Sequence, residues 1–207
     1  MSSNTVTEKP GRVRAEFFLL LTALIWGGTF SLIKAALDDV SAMVFVALRF
    51  GLASLILFFV FRSSLKNIGP QNIKDGAVLG FLLFAGFITQ TLGLKETTAT
   101  KSAFITGTFV VLTPIFQVLI EKRIPSLINI IGIIIVFTGI AFLSSKGDSA
   151  FDIFNELGAN FTFGDFLTFL CAVFYALYIV YLDIISSRND YKFLTFFQIF
   201  VTLVLSV

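Results

Sequence analysis

Seven runs of apolar residues, most of them close to the length a helix needs to cross a lipid bilayer, dominate this chain. They cover residues 17–37, 42–61, 76–94, 99–120, 127–143, 164–185 and 193–207. A hydrocarbon layer about 30 Å thick takes roughly 20 residues of α-helix. None of the runs alternates with period two, as the strands of a membrane barrel would. Helices also satisfy their own backbone hydrogen bonds where lipid offers no partner. The expected fold class is therefore all-α, a polytopic transmembrane helix bundle. Composition agrees: with 57% hydrophobic and 14% charged residues, the chain carries more apolar surface than one soluble core can hide, since soluble domains are about a quarter charged.

The last run is shorter than the others. Residues 193–207 would rise only about 22 Å as a helix, at roughly 1.5 Å per residue, so the expectation is a truncated seventh helix and a fragment of a longer protein. The first run follows Lys9, Arg12 and Arg14, as in a secretory signal. It is too long for a signal core and lacks a small-residue cleavage site, so it is read as a retained membrane helix.

Basic flanks are held on the cytoplasmic side of a membrane. Arg62, Lys66 and Lys74 follow the second run, Lys122 and Arg123 the fourth, and Arg188 and Lys192 the sixth. These ends are expected to be cytoplasmic together with the N-terminus, in a plasma (inner) membrane. The opposite ends hold Asp38, Asp39, Lys95, Glu96 and Lys101, then a loop carrying Lys146, Asp148, Asp152 and Glu156. In that loop Phe151, Phe154 and Leu157 fall at helical spacing, which fits either a short amphipathic turn at the interface or a disordered segment. Asn160-Phe161-Thr162 matches a glycosylation acceptor, but the next helix begins almost at once and the match is read as chance.

Several chemistries find no footing. A net charge of +2 gives no reason to expect a nucleic-acid partner. Without histidine, and with Cys171 as the sole cysteine, neither a zinc cage nor a Cys/His nucleophile can be assembled. Cys171 is read as packing. No glycine-rich phosphate loop is visible, so the reading is of a protein that is not an enzyme and has no metal or cofactor.

The first and sixth runs align weakly but in order. Glu16, Phe17, Leu21, Ala23, Trp26 and Gly27 fall on Asp165, Phe166, Leu170, Ala172, Tyr175 and Ala176. Five helices between two copies would make the second enter from the opposite side, giving an inverted repeat of the kind carriers use.

The residues also carry a resemblance. Ile25-Trp26-Gly27-Gly28-Thr29-Phe30 with Lys34, Leu48-Arg49-Phe50 with Ala53, and Leu92-Gly93-Leu94-Lys95 followed by Thr98-Ala99 and Ser102-Ala103-Phe104 resemble drug/metabolite transporters of the EamA-like type. So do Pro114, Glu121-Lys122-Arg123-Ile124 and Gly164-Asp165. The sequence departs from that pattern at Glu96, Ile120 and Tyr175. The resemblance implies ten helices in two inverted five-helix units. The expected organisation is a cytoplasmic tail at 1–16, a first unit at 17–143, an extracytoplasmic loop at 144–163 and an incomplete second unit from 164 to 207.

Candidate site residues follow from depth and polarity. Arg49 lies about 12 Å from the outer end of its helix by rise, where an unpaired guanidinium costs at least about 2.5 kcal/mol. It must face a cavity anion or clamp helix-end carbonyls. Thr89, Gln90, Thr106 and Thr113 are uncharged polar groups suited to a neutral or zwitterionic solute, and Trp26, Tyr175 and Tyr178 offer flat walls. Pro114 frees the carbonyl one turn earlier and is the expected helix hinge. Lys34 is expected to lift its ammonium to water. Small residues four apart (Ala23, Gly27, Ser31, Ala35 and Ala99, Ala103, Gly107) are expected to let helices pack closely.

The function expected is a secondary carrier, working by alternating access, for a small metabolite or amino-acid-like solute. Its partners would be the lipid bilayer and a coupling ion or proton, with Asp165 and Glu16 the acids available for coupling. The alternatives are a seven-helix membrane receptor or a non-transporting membrane fragment.

Overall fold

The computed structural model describes residues 10–62, 65, 68–145 and 152–207. Lys9, Lys66, Lys146, Asp148 and Phe151 lie outside the described residues, as do the side chains of Arg12, Arg14 and Glu156. The described residues form helices α1 (Pro10–Ala36), α2 (Ala42–Phe61), α3 (Pro70–Glu96), α4 (Ala99–Gly107), α5 (Phe109–Glu121), α6 (Leu127–Ser144), α7 (Asp152–Ala159), α8 (Phe163–Ser186) and α9 (Tyr191–Ser206), with no strand among them. Six spans are long and apolar enough to cross a membrane: Ala15–Ala36, α2, α3, α4 with α5 taken together, α6 and α8. The shorter α9 is apolar as well.

Several helices start where a polar side chain takes backbone N–H groups of the first turn. Ser41, Thr98 and Ser126 accept from the amides of Val44, Lys101 and Asn129. Thr162 and Asp165 exchange backbone and side-chain bonds in a reciprocal cap at the start of α8. Both α1 and α3 open on proline, at Pro10 and Pro70, whose fixed φ suits the first helical position. They therefore begin well before the apolar runs at residues 17 and 76. Hydropathy marks the part of a helix that lipid must surround, not the polar turns that continue beyond it.

The helix between residues 99 and 121 is interrupted, and the interruption falls at Thr108 rather than at the expected hinge, Pro114. The Thr108 amide reaches the Ile105 carbonyl at 3.1 Å and its hydroxyl reaches the same oxygen at 2.6 Å. This draws the chain into a tighter i→i−3 turn. Pro114 lies inside α5, which runs through it unbroken. At the far end of α5, Lys122 takes a left-handed φ of 57°, and its amide closes the helix on the Val118 carbonyl at 3.1 Å.

The central layer is α3, against which α8 and α9 pack most extensively; α9 also lies along α2. Contacts at both ends show that α3 and α8 run antiparallel: Asp75 meets Arg188, and Thr97 meets Asp165. Glycines of α3 make the close approach. A Cβ on Gly80 would stand 2.5 Å from Val201, one on Gly86 2.5 Å from the Tyr175 ring, and one on Gly93 2.7 Å from the Gly164 carbonyl oxygen.

The stripe expected to pack, on α1, is open at its centre although α1 touches α4. A Cβ on Gly27 would meet nothing within 4 Å. The C-terminal end of α1 is anchored where Phe30 and Ile33 pack around Leu37, Ala42 and Leu94. The loop beyond α6 contains a helix, α7, whose Ile153 is buried with Phe104 and Ala141. Phe154 meets the Phe104 ring edge-on at 5.5 Å.

Candidate functional site

A cavity of about 540 Å³ opens between α1, α2, α3, α4, α6 and α8, within the range of roughly 300–1,000 Å³ usual for small-molecule sites. The small residues of α1 and α4, Ala23, Gly27, Ala103 and Gly107, border it. Their missing bulk makes room rather than a helix seam. Trp26, Arg49, Gln90, Thr106 and Tyr175 all line it, with Phe87 and Phe109.

Three other residues named from the sequence stand elsewhere. Tyr178 turns toward α9 and donates to Gln198 at 2.9 Å. Thr113 donates to the carbonyl of Phe109 in its own helix at 2.7 Å. Pro114 lines a separate apolar groove between α5 and α6, with Val118 and Ile133.

Inside the cavity the polar groups are few and loosely tied. Gln90 donates to Thr106 at 3.3 Å and accepts from the Tyr175 hydroxyl at 3.4 Å, both long for such bonds. Arg49 has no carboxylate partner among the described residues; its guanidinium lies over the Phe87 ring at 4.7 Å and near Phe50 at 5.9 Å. Phe87 in turn meets Phe50 and Tyr175 edge-on at 4.9 and 5.5 Å. Stacking on an aromatic face offsets part of the cost of holding a cation at this depth.

The walls are fixed at both ends of the α3–α8 pair. At one end Asp75, fully buried, receives Arg188 through Nε at 2.9 Å and Nη2 at 2.8 Å, Asn189 at 2.8 Å, Gln71 at 2.8 Å and the Tyr181 hydroxyl at 3.1 Å. The carboxylate raises the pKa of Arg188 above its ordinary value. At the other end Asp165, also fully buried, accepts from Thr97 and from the Thr162 amide, with Lys101 3.6 Å away. Lys101 also donates to the Asn160 carbonyl at 3.0 Å.

Lys34 completes that end. Its ammonium donates to the carbonyls of Leu94 and Thr97 at 2.9 and 2.5 Å. It thereby ties α1 to the C-terminal end of α3, where a cation complements the helix dipole, instead of rising freely to water.

Asp75 is the residue sequence reading missed. It lies one position before the apolar run at 76–94, where it looks like an interfacial acid; its spacing of four from Gln71 was the one local signal. The aromatic Phe87 and Phe109 were likewise indistinguishable from lipid-facing phenylalanines. No group of His, Cys, Asp and Glu side chains suited to a metal ion occurs among the described residues.

A bundle of membrane-length helices around a cavity with a few polar groups in its wall defines the class: a polytopic helical membrane protein. Comparison with known proteins makes this specific. The EamA-like transporter family pattern matches residues 13–145, and the chain belongs to that family. An uncharacterized transporter of Archaeoglobus fulgidus is 37% identical over 94% of this chain and 57% of its own length. A second from the same organism is 29% identical over 88% of this chain and 62% of its own length. An S-adenosylmethionine/S-adenosylhomocysteine transporter of Chlamydia muridarum is 30% identical over 45% of this chain and 30% of its own length. The chain thus spans about 57–62% of the first two relatives. No solved structure matches it.

Proposed function

We propose that this chain forms the first five-helix unit and the start of the second in a secondary carrier. The carrier moves a small solute through the cavity by alternating access. The observation that carries the proposal is the cavity itself: apolar and aromatic walls with Arg49, Gln90, Thr106 and Tyr175 converging at mid-depth. An inverted relation between α1 and α8 supports it, since α8 is the sixth pass and enters from the side opposite to α1. The named transporters among its relatives favour a carrier over the receptor alternative. The adenosyl substrate printed for one relative stays with that protein, because the match reaches only 45% of this chain.

Charge distribution supports an N-terminus in the cytoplasm of a cell with this protein in its plasma membrane. The end of the bundle that gathers Arg188, Arg123 and Asp183 also carries Lys74 and Lys122, whereas Asp38, Asp39 and Glu96 lie at the other. A proton or ion gradient, or the solute's own gradient, would drive transport. Asp165, tied to Thr97 and Thr162, reads as an anchor rather than a proton carrier.

The test is accessibility. In a Cys171→Ser background, Gln90→Cys and Thr106→Cys are introduced into the protein expressed from its complete gene in membrane vesicles. Labelling by a membrane-impermeant thiol reagent from each side in turn is expected for both positions. Labelling from one side only, or from neither, would overturn alternating access.

A further inference from the structure

We infer that the solute is a small organic monoanion, a carboxylate on a flat and largely apolar body. Its carboxylate would sit on Arg49 and its body among Phe87, Phe109 and Tyr175. This deepens the carrier reading of the cavity and rests on it.

The argument starts from charge. Among the described residues, Arg49 is the one side chain with a permanent charge in the cavity wall, and no described Asp or Glu lines it. The guanidinium carbon lies 4.7 Å from the centre of the Phe87 ring, and no carboxylate among the described residues takes its N–H edge. That edge matches the two oxygens of a carboxylate. A solute ammonium would find no acid here and would meet the like charge of Arg49. Arg49 supplies one positive charge to this wall, which matches one negative charge; a dianion such as a phosphate monoester would need a second cation beyond the described lining.

The remaining polarity is small and adaptable. The Gln90 amide, the Thr106 hydroxyl and the Tyr175 hydroxyl are joined only by bonds of 3.3 and 3.4 Å, so they can turn to a ring substituent or to the second carboxylate lone pairs at little cost. The other walls are Trp26, Phe30, Ile33 and Leu143, which suit a flat hydrocarbon body.

The experiment is calorimetric binding at neutral pH to the protein expressed from its complete gene and purified in detergent. The probes are benzoate, benzamide, benzylamine and phenyl phosphate, which share a ring and differ in charge. Benzoate is expected to bind at least about tenfold more tightly than benzamide, as one charge-assisted contact implies, with benzylamine the weakest. Arg49→Gln is expected to bring the benzoate-to-benzamide ratio to about one, and Arg49→Lys to restore part of it.

Equal binding of benzoate and benzamide by the unmodified protein overturns the inference, as does a preference for benzylamine or no binding by any probe. A benzoate preference that survives in Arg49→Gln also overturns it, and tighter phenyl phosphate assigns the site to phosphates instead. Because binding is read without flux, the carrier reading fails separately. Arg49-dependent benzoate binding in a protein whose cavity is never reached from both sides would leave the anion site standing and remove only the carrier.

Discussion

Asp75 on α3 and Arg188 just beyond α8 meet through two hydrogen bonds, at 2.9 and 2.8 Å, across a carboxylate with no exposed surface. The pair joins the N-terminal end of α3 to the segment just beyond α8. The other end of α3 has its counterpart in Thr97, Lys101 and Asp165. Between these anchors α3 and α8 form a pair fixed at both ends, and the cavity lies on its flank. By contrast, α1 is tied to the rest near its C-terminal end, where Lys34 bonds the carbonyls of Leu94 and Thr97.

If Asp75 is the hub of its network, Asp75→Ala strands the donors of Gln71, Asn189 and Tyr181 as well as Arg188. Asp75→Asn keeps the shape and part of the bonding. The expected order of melting temperature in detergent is unmodified protein, then Asp75→Asn, then Asp75→Ala, with the last lower by several degrees. Adding Arg188→Ala to Asp75→Ala should cost little more, since the partner is already gone. Additive losses in the double variant would show that the two residues act independently.

The α3 glycines differ in what blocks a side chain. At Gly93 a Cβ would meet the Thr168 hydroxyl at 2.5 Å and also two backbone atoms, the Gly164 carbonyl at 2.7 Å and the Thr168 amide at 2.9 Å, so Gly93→Ala must push two helices apart. A loss of about 2 kcal/mol or more is expected, as overpacking commonly costs 1–3 kcal/mol. Gly132→Ala in α6 meets nothing within 4 Å and should be neutral, or stabilising by up to about 1 kcal/mol through helix propensity. Thermal unfolding of the two variants side by side decides the matter.

Gly86→Ala acts on the cavity instead. The new methyl would stand 2.5 Å from the Tyr175 ring, a side chain that can shift where a backbone cannot. Displacing that ring disturbs its edge contact with Phe87 at 5.5 Å and its bond to Gln90. Reduced solute binding with a melting temperature closer to normal than that of Gly93→Ala is the expected result, and calorimetry beside thermal unfolding separates the two effects.

The helices were legible because lipid imposes a demand that hydropathy records directly: α2 was delimited at residues 42–61 without correction. Their facing was not. A helix apolar on every side, as α2 and α6 nearly are, carries no pattern to say which side meets a cavity. Thr106 and Thr113 illustrate the limit. Seven residues apart, they share a face on an uninterrupted helix, and both look like cavity residues; the break at Thr108 lies between them, and only Thr106 reaches the cavity. Polar residues inside apolar runs (Arg49, Gln90, Thr106) could be found from depth alone. Asp75 could not, because its importance comes from Arg188 and Asn189, more than a hundred positions away.

Gln90→Ala gives the sharpest separation of cavity from scaffold. Its two side-chain bonds are long, at 3.3 and 3.4 Å, and its neighbours Thr106 and Tyr175 border open space where water can replace it. Removing it should cost less than about 1 kcal/mol of stability, near the lower end for a hydrogen bond. A solute that uses the amide would lose a directional contact, and an affinity loss of about tenfold corresponds to roughly 1.4 kcal/mol. The expected outcome is thus a near-normal melting temperature with weakened binding. A variant that melts as early as Gly93→Ala while binding normally would show Gln90 to be part of the helix packing and not of the site.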